Sequence, residues 1–346
     1  MPGRRPTNWP KAAAELARRI PRDRLHPDVR AWADSSPARS TWGIGFSGGA
    51  DSLALVLLLW AHWPGRRQRL RPLHFNHRLR AAAQADADFC LRVCSALGVG
   101  LVTGTWDDRP PRPSEARARA ARIAFFNRYA RIVWLGHQMN DIAETQFMRL
   151  ARGSGTAGLA APRPVHELPR GHRRLRPLLT LPHAEIVAAL QAVGAKWRED
   201  ASNREPLYFR NRIRRRVIPA WQAAAQRDAV AGAARSRMLF EEDDDALASW
   251  LEQLRPIGTR GHLQIRRLAG KPRALLRRAL HAWLLTLPAT AGRLSSRGFE
   301  SLLDAVATGR PTRHSLGPAG FAVLQRGSLR FEHAPVSRRR FPRGAN

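Results

Sequence analysis

Short apolar segments alternate with longer helical patterns along this chain from Trp42 to Arg152. The apolar segments predict strands at Trp42–Phe46, Leu70–Phe75, Val99–Thr103 and Arg131–Leu135. The segments between and after them predict helices at Ala50–Trp63, Ala83–Leu97, Ser114–Tyr129 and Asp141–Arg152. Strands that alternate strictly with helices form a parallel sheet covered on both faces, with right-handed crossovers. We therefore predict an α/β fold with a parallel, doubly wound sheet.

The composition changes after Arg152 and again near Ala223, which predicts a second, smaller domain. One more helix is expected at Ala184–Val193, and the pattern beyond Ala223 is mostly helical. Apolar and polar residues alternate at Gly317–Phe331, which also contains Gly and Pro, and this pattern predicts a short hairpin-like module. We expect a basic N-terminal extension with one helix at Lys11–Arg19, a main domain, a mostly helical C-terminal domain and a basic tail. These four parts are predicted to span residues 1–40, 41–222, 223–336 and 337–346.

The net charge of +32 comes from 59 Lys and Arg residues against 27 Asp and Glu residues. Only Lys11, Lys196 and Lys271 are lysines, which indicates a compositional bias toward arginine. Replacing Lys by Arg leaves the charge unchanged, so this bias does not explain the shortage of acids. A polyanionic partner, most plausibly nucleic acid, is favoured over general basicity.

The cysteines and the apolar runs indicate the compartment. Cys90 and Cys94 exclude a disulfide scaffold and cannot alone complete a four-cysteine zinc site. The longest apolar run, Leu53–Trp60, is far shorter than the roughly 18 to 20 residues of a membrane span. Residues 1–20 lack the apolar stretch of a signal peptide. We expect a cytoplasmic protein that makes no membrane contact.

The sharpest motif is Gly-Phe-Ser-Gly-Gly-Ala-Asp-Ser at residues 45–52, which we call the glycine loop. It follows a predicted strand and opens a predicted helix, so backbone N–H groups can face an anion at the helix N-terminus. Ser47 and Ser52 add hydroxyl donors, and Asp51 can orient the loop or help to bind magnesium. The loop lacks the Lys of a Walker A motif. The alternative is an ordinary strand-to-helix turn capped by Ser.

Further motifs follow the glycine loop in a fixed order. They lie at residues 74–80 (HFNHRLR), 115–122 (EARARAAR), 136–145 (GHQMNDIAET), 152–155 (RGSG), 176–179 (RPLL), 199–203 (EDASN) and 210–214 (RNRIR). With the glycine loop, this order and spacing resemble the tRNA(Ile)-lysidine synthetase family of PP-loop ATP pyrophosphatases, from about Gly43 to Pro219. The resemblance implies that ATP adenylates C2 of the first anticodon cytidine, with release of pyrophosphate. Free lysine then attacks C2, AMP departs, and lysidine is formed.

The resemblance also implies roles for matching residues. ATP binding falls to Ser47, Gly48, Gly49, Ala50, Asp51 and Ser52, with Mg²⁺ at Asp51. Catalytic roles fall to Asp51, Arg119, Arg122 and His137, and recognition of the substrate lysine falls to Asp141 and Glu144. Arg176, Arg210, Arg212 and Arg214 are expected to contact tRNA(Ile) bearing a CAU anticodon or to shape the lysine site. Free L-lysine is the other substrate, and a homodimer is left open.

Each of these roles has a plainer alternative. Asp141 and Glu144 lie three residues apart on one predicted helix face, where first-turn acids also complement the helix dipole. Arg119 and Arg122 can form an exposed ion-pair ladder with Glu115, which would contribute only a few tenths of a kcal/mol, roughly 0.2 to 0.5. The basic run that includes Arg214 can be a solvated surface.

Two departures from the family and two rival functions remain. The aromatic residue that the family usually carries soon after Arg122 is Ile123 here. The family usually carries paired Asp where this chain has Asn140-Asp141, which weakens a metal or ammonium role for position 140. A tRNA thiolase generally needs catalytic or cluster-binding cysteines, and Cys90 and Cys94 fit no such arrangement well. A non-catalytic RNA-binding protein would not need the intact glycine loop.

Overall fold

The computed structural model describes residues 7–77, 83–107, 109–110, 114–199, 208–287, 294–318 and 320–334. The chain forms two compact units, Met1–Glu241 and Glu242–Asn346, which we call the first and second units. The expected basic tail at residues 337–346 lies outside the described residues. Within the described part of the chain, no helix is both long and apolar enough to cross a lipid bilayer.

The first unit is built on a six-stranded sheet. Its strands are β1 (Trp42–Gly45), β2 (Leu70–Asn76), β3 (Val102–Thr105), β4 (Ile132–Trp134), β5 (Val165–Leu168) and β6 (His172–Leu175). They lie in the order β3-β2-β1-β4-β6-β5, and all neighbours are parallel except β5 with β6. The predicted α/β fold with a mostly parallel sheet is therefore confirmed. The strand order reverses between β1 and β4, which is where open parallel sheets form a ligand crevice.

In the described part of the first unit, ten α-helices accompany this sheet. They are α1 (Trp9–Arg19), α2 (Pro27–Ser35), α3 (Ala50–His62), α4 (Ala83–Ala96), α5 (Glu115–Tyr129), α6 (Met139–Leu150), α7 (Thr156–Leu159), α8 (His183–Ala192), α9 (Phe209–Arg212) and α10 (Ile218–Ala225). Short 3₁₀ turns lie at Arg22–Arg24, Pro64–Arg69, Pro169–Gly171 and Pro177–Thr180, and a π-helical turn lies at Ile213–Val217. Nine of the 13 residues of α3 are buried, so this helix is apolar on nearly every face and lies within the core.

The described part of the N-terminal segment differs from the expected extension. Helix α1 packs against α3, and Leu16, Ile20 and Val29 are fully buried in the same hydrophobic cluster as Ile44 of β1. The buried positions of α1 recur three to four residues apart, which gives the helix one apolar face among many arginines. Helices α1 and α2 therefore contribute buried residues to the first unit's core.

The division between the units also differs from the expected boundary at residues 222 and 223. Helix α11 (Ala229–Leu254) begins in the first unit, where Val230 and Ala233 pack in a cluster with Ala143 and Ile218. The side-chain amide of Gln146 also donates to the carbonyl oxygen of Ala233, with N···O 3.2 Å. These contacts assign the first turns of α11 to the first unit.

Strands β5 and β6 were not predicted from the sequence. β6 reads His-Arg-Arg-Leu, which has the composition of an exposed basic segment. Arg174 is nevertheless buried, because its guanidinium donates to the side-chain oxygen of Asn127. A buried arginine with an internal acceptor gives no apolar signal, so the periodicity of the strand is hidden.

The second unit combines helices with a small antiparallel sheet. Its helices α12 (Arg273–Thr286) and α13 (Ser296–Thr308) follow the end of α11, with a 3₁₀ turn at Ile265–Leu268. Its strands, in the order β7-β10-β9-β8, are β7 (Leu263–Gln264), β8 (Thr312–Ser315), β9 (Gly320–Gln325) and β10 (Ser328–His333). The hairpin expected at Gly317–Phe331 corresponds to β9 and β10, which pair antiparallel. Leu280, Trp283, Leu302 and Leu329 form part of its own core.

We predict that Leu16→Ala lowers the free energy of unfolding by about 3 kcal/mol, because it leaves a cavity between α1 and α3. Arg19→Ala, on an exposed position of the same helix, should change it by less than about 0.5 kcal/mol. Urea denaturation followed by tryptophan fluorescence measures both. Equal losses in the two variants would contradict the assignment of α1 to the core.

Candidate active site at the ends of β1 and β4

The glycine loop leaves β1 and enters α3 through a tight turn. Gly48 has φ +87°, a left-handed conformation that L side chains rarely adopt. A Cβ atom there would also lie 3.3 to 3.4 Å from side-chain atoms of Phe89, Arg198 and Cys90. Gly49 is the N-cap of α3. The sequence therefore needs glycine at position 48 both for the turn and for the space around it.

The two hydroxyl groups of the loop have different environments. Ser52 is buried, and its hydroxyl donates to the carbonyl oxygen of Gly49 at 3.0 Å. Its oxygen accepts the backbone N–H of Ser47 at 3.2 Å and lies 3.1 Å from the Ser47 hydroxyl oxygen. Because the single proton of Ser52 is used within the loop, Ser52 braces the turn. Ser47 then donates to Ser52, but it is exposed, so its hydroxyl can rotate toward an anion that the N–H groups at the start of α3 also face.

Arg198 is a second residue that stabilises the glycine loop, and its sequence position alone did not predict this role. Its backbone N–H donates to the carbonyl oxygen of Gly48 at 2.9 Å, and its Nε donates to the buried carboxylate of Asp86 at 2.8 Å. Arg198 immediately precedes the motif at residues 199–203. This position beside a motif is the sequence feature that could have indicated a role for Arg198. The contact ties the segment after α8 to the glycine loop.

The loop after β4 lies against the start of α3. A Cβ atom at Gly136 would be 2.9 Å from the carbonyl oxygen of Asp51 and 3.1 Å from the backbone nitrogen of Ser52. Only glycine permits this approach of the two backbones. The structure thus brings the loops after β1 and β4 together, as the strand order requires.

Asp51 contacts a residue that sequence reasoning missed. Its Oδ1 accepts a hydrogen bond from Nδ1 of His183, the first residue of α8, at 2.9 Å. This hydrogen bond raises the pKa of His183 above its usual value. The backbone N–H of His183 donates in turn to Oδ1 of Asn140 at 3.0 Å. Asn140, the position that departs from the family, is thereby linked to the glycine loop.

The predicted acid pair lies in the first two turns of α6 and faces inward. Asp141 and Glu144 are 5% and 0% exposed, so they are not the solvated first-turn acids of the alternative interpretation. Asp141 Oδ2 accepts the backbone N–H of Gln138 at 2.9 Å, within a capping box that starts the helix. Burial raises the pKa of Asp141, while the positive charge of Arg210 acts in the opposite direction.

Arg210 and Arg214 supply the positive charge for this pair. Arg210 donates through Nε to Glu144 at 2.6 Å, and its Nη2 contacts Asp141. Arg214 donates through Nε to one oxygen of Glu144 and through Nη2 to the other at 3.1 Å. The π-helical turn at Ile213–Val217 carries Arg214, and such turns are frequent at functional sites. Arg210 and Arg214, which were expected to contact tRNA or to shape the lysine site, therefore form a charge-balanced cluster with the two buried acids.

His137 lies at the end of β4 and is held by Arg176. Nε of Arg176 donates to Nδ1 of His137 at 2.9 Å, so the neutral ring carries its proton on Nε2. Burial lowers the pKa of His137 well below 6.5, and the charges of Arg176, Arg210, Arg119 and Arg122 lower it further. The sequence placed His137 here, but it did not indicate the arginine that fixes its tautomer.

The environment of Arg176 does not fit the expected contact with tRNA. Arg176 is only 6% exposed, and it also donates to the carbonyl oxygen of Arg163 at 2.6 Å. Burial lowers its pKa to about 10, and Arg119 and Arg174 act in the same direction. Arg176 is therefore an internal support for His137.

The remaining predicted arginines lie near the protein surface. Arg119 is exposed and Arg122 is partly buried on α5, and both act electrostatically on His137. Arg212 is exposed, with its guanidinium 5.6 Å from the ring centre of Phe209. Of the four arginines assigned to tRNA, Arg212 and the partly exposed Arg214 present charge at the surface.

The two cysteines are packed inside the first unit. Both are buried, and Cys90 Sγ lies 3.5 Å from Nδ1 of His74. Burial raises the pKa of each thiol, so neither is activated as a thiolate. Among the described residues, no three His, Cys, Asp or Glu side chains are grouped to hold a metal ion. This environment gives no support to thiolation chemistry.

A magnesium ion would depend on other ligands besides the protein. The carboxylate of Asp51 is 26% exposed at the start of α3, and oxygen is the ligand that Mg²⁺ prefers. Proteins commonly hold Mg²⁺ through one or two carboxylates together with substrate phosphates and waters. Asp51 fits that role for a Mg²⁺ ion that arrives with a nucleotide.

The depressed pKa of His137 predicts a pH dependence of stability. The folded protein keeps the ring neutral, whereas the unfolded chain takes up a proton below pH 6.5, so this stability is present above pH 6.5 and lost as the pH falls. His137→Asn keeps an acceptor for Arg176 without a titrating ring. Between pH 7.5 and 5.5, the wild type should lose about 1.4 kcal/mol more unfolding free energy than this variant. Urea denaturation at the two pH values measures both losses. If the wild type and His137→Asn lose the same unfolding free energy, the His137 ring is not held neutral.

Comparison with known proteins identifies the first unit. Residues 25–221 match the family model of the PP-loop domain. The chain is similar to the tRNA(Ile)-lysidine synthases of Pseudomonas syringae (35% identity; 79% of this chain, 64% of that protein) and Xanthomonas campestris (35% identity; 79% and 63%). It therefore spans less than two thirds of the length of these curated relatives. Because the match covers more than half of the chain, including the glycine loop, the chain belongs to the PP-loop domain family.

Proposed function

We propose that the chain ligates lysine to C2 of the first anticodon cytidine of tRNA(Ile), in an ATP-dependent reaction that forms lysidine. The observation that carries this proposal is that hydrogen bonds through His183 join Asp51 of the glycine loop to Asn140, which directly precedes the buried acid Asp141 on α6. The similarity to proteins named tRNA(Ile)-lysidine synthase supports the choice of substrates.

In this proposal the glycine loop binds the phosphates of ATP. The backbone N–H groups at the start of α3 and the Ser47 hydroxyl contact phosphate oxygens, while Ser52 keeps the turn in shape. Asp51 binds Mg²⁺ that accompanies the nucleotide. The C2 oxygen of the cytidine attacks the α-phosphorus, pyrophosphate leaves, and the base becomes an adenylate with AMP as its leaving group.

The neutral His137 is suited to a developing negative charge. Because Arg176 donates to Nδ1, the Nε2–H group of the ring is a hydrogen-bond donor at neutral pH. We assign this donor to the transferring phosphoryl group or to the base beside it. Arg119 and Arg122, whose charges reach His137, stabilise the same negative charge.

The acid pair binds the ε-amino group of lysine. The two carboxylates already accept hydrogen bonds from Arg210 and Arg214, so a new cation requires one of these donors to give way. Arg214 is the better candidate, because its side chain is 41% exposed while that of Arg210 is 24% exposed. Glu144 or Asp141 then takes the proton that the ammonium must lose before its nitrogen attacks C2 and displaces AMP.

The charge of the chain supports a large RNA substrate. A tRNA with a CAU anticodon places its first anticodon base in the crevice while its phosphates meet the basic surface. The exposed Arg212 and Arg214, the latter beside Glu144, contribute to that surface. Arg176 is left out of the tRNA contacts in this proposal because it is buried.

The direct test is incorporation of radiolabelled lysine. Purified protein with unmodified tRNA(Ile), ATP and Mg²⁺ should label the tRNA and release one pyrophosphate per lysine incorporated. Methionine tRNA, which shares the CAU anticodon, serves as the control RNA and should remain unlabelled. If neither label nor pyrophosphate appears with tRNA(Ile), the proposal fails.

Two variants should separate the adenylation and the ligation steps. Ser47→Ala should reduce pyrophosphate release about tenfold or more, because a phosphate contact is lost. Glu144→Gln should leave pyrophosphate release within about threefold of wild type but raise the KM for lysine about tenfold or more, because the ammonium loses a charged partner.

The controls for these variants are Ser95→Ala and Glu167→Gln, which change exposed residues of α4 and β5 and should leave both steps unchanged. Thermal melts establish that each variant is folded. If Glu144→Gln leaves the KM for lysine unchanged, the assignment of the acid pair to lysine binding is wrong.

A further inference from the structure

His183 connects the glycine loop to the first turn of α6. Its Nδ1 must carry the proton in its contact with the carboxylate of Asp51, since a carboxylate only accepts. Its backbone N–H is held by the side-chain oxygen of Asn140, and the backbone N–H of Met139 donates to the carbonyl oxygen of Leu181 at 2.9 Å. The starts of α6 and α8 are therefore fastened to one another beside the start of α3.

The imidazole of His183 also lies close to charged groups at the acid pair. Arg214 and Asp141 both act electrostatically on His183, and the imidazole side chain is 48% exposed. His183 is thus a partly solvated group between the glycine loop and the acid pair. A purely structural helix start would not require a side chain that reaches the carboxylate of Asp51.

We propose that His183 is a positioning residue of the phosphate site, in which its Nδ1–H group fixes the carboxylate of Asp51 and Asn140 fixes His183. This role rests on the proposed binding of ATP by the glycine loop. The hydrogen bond uses Oδ1 of Asp51 and sets the direction of the second oxygen, Oδ2. A freely rotating Asp51 would place negative charge near the phosphates in several orientations.

The same arrangement explains why Asn140 serves in place of a carboxylate. Its side-chain oxygen accepts the N–H of His183, and its own backbone N–H donates to the side-chain oxygen of Gln138 at 2.6 Å. Either Asn or Asp supplies the acceptor that His183 needs, so Asn140→Asp should preserve the link. Asn140→Ala should remove it.

Two substitutions of His183 distinguish the nitrogen that matters. The side-chain amide of Asn places an N–H near the position of Nδ1, whereas that of the longer Gln reaches toward the position of Nε2. His183→Asn should therefore retain the hydrogen bond to Asp51, and His183→Gln should lose it. Glu185→Gln is the matched control, because Glu185 lies in the first turn of α8 but pairs with Arg24.

The test is equilibrium binding of ATP with Mg²⁺, and of AMP, measured by calorimetry. His183→Gln and Asn140→Ala should weaken ATP binding about tenfold and change AMP binding less than about twofold, because AMP lacks the β- and γ-phosphates. His183→Asn, Asn140→Asp and Glu185→Gln should bind ATP within about threefold of wild type. Thermal melts check that every variant is folded.

Three outcomes would overturn the role of His183. These are an unchanged ATP affinity in His183→Gln, an equal loss of ATP and AMP affinity, and equal effects of Asn and Gln at position 183. If the wild type does not label tRNA, the proposed ligation is wrong, but the ATP-binding comparisons still test the role of His183. Failure of the wild type to bind ATP at all would overturn both.

Discussion

The close approach of the loop after β4 to the start of α3 is the constraint on which the rest of the site depends. The backbone of Gly136 leaves no room for a side chain beside Asp51. This contact places His137 and the first turn of α6 within reach of the glycine loop. The strand order brings the two loops near each other, and Gly136 allows their backbones to make contact, while Gly48 allows the glycine loop its tight turn.

Burial gives the few acids of this basic protein their importance. Asp141 and Glu144 are removed from water, and ionised carboxylates in that position need close cations. Arg210 and Arg214 satisfy them without closing the site, because Arg214 remains partly exposed. The excess of arginine is therefore used inside the protein as well as on its surface.

Local periodicity predicted β1 to β4 and the helices between them, because each element carries its own apolar pattern. It did not predict the features that depend on contacts with residues far away in the sequence. The apolar face of α1 is hidden among arginines, and the burial of Arg174 depends on Asn127. The contact of Asp51 with His183 joins residues 132 positions apart, and a run of arginines does not reveal that Arg210 turns inward. Motif spacing indicated a candidate site, but it could not assign the partners of the residues within it.

The use of guanidinium groups around the acid pair has a chemical consequence. A guanidinium keeps its proton at any pH a protein experiences, so Arg210 and Arg214 cannot act as nucleophiles. A lysine at either position would place an amine like that of the proposed substrate beside an adenylated base. In the proposed reaction, such an amine would compete for the same carbon and link the protein to the RNA substrate. Arginine thus gives the acid pair a cation that is chemically inert toward the proposed ligation.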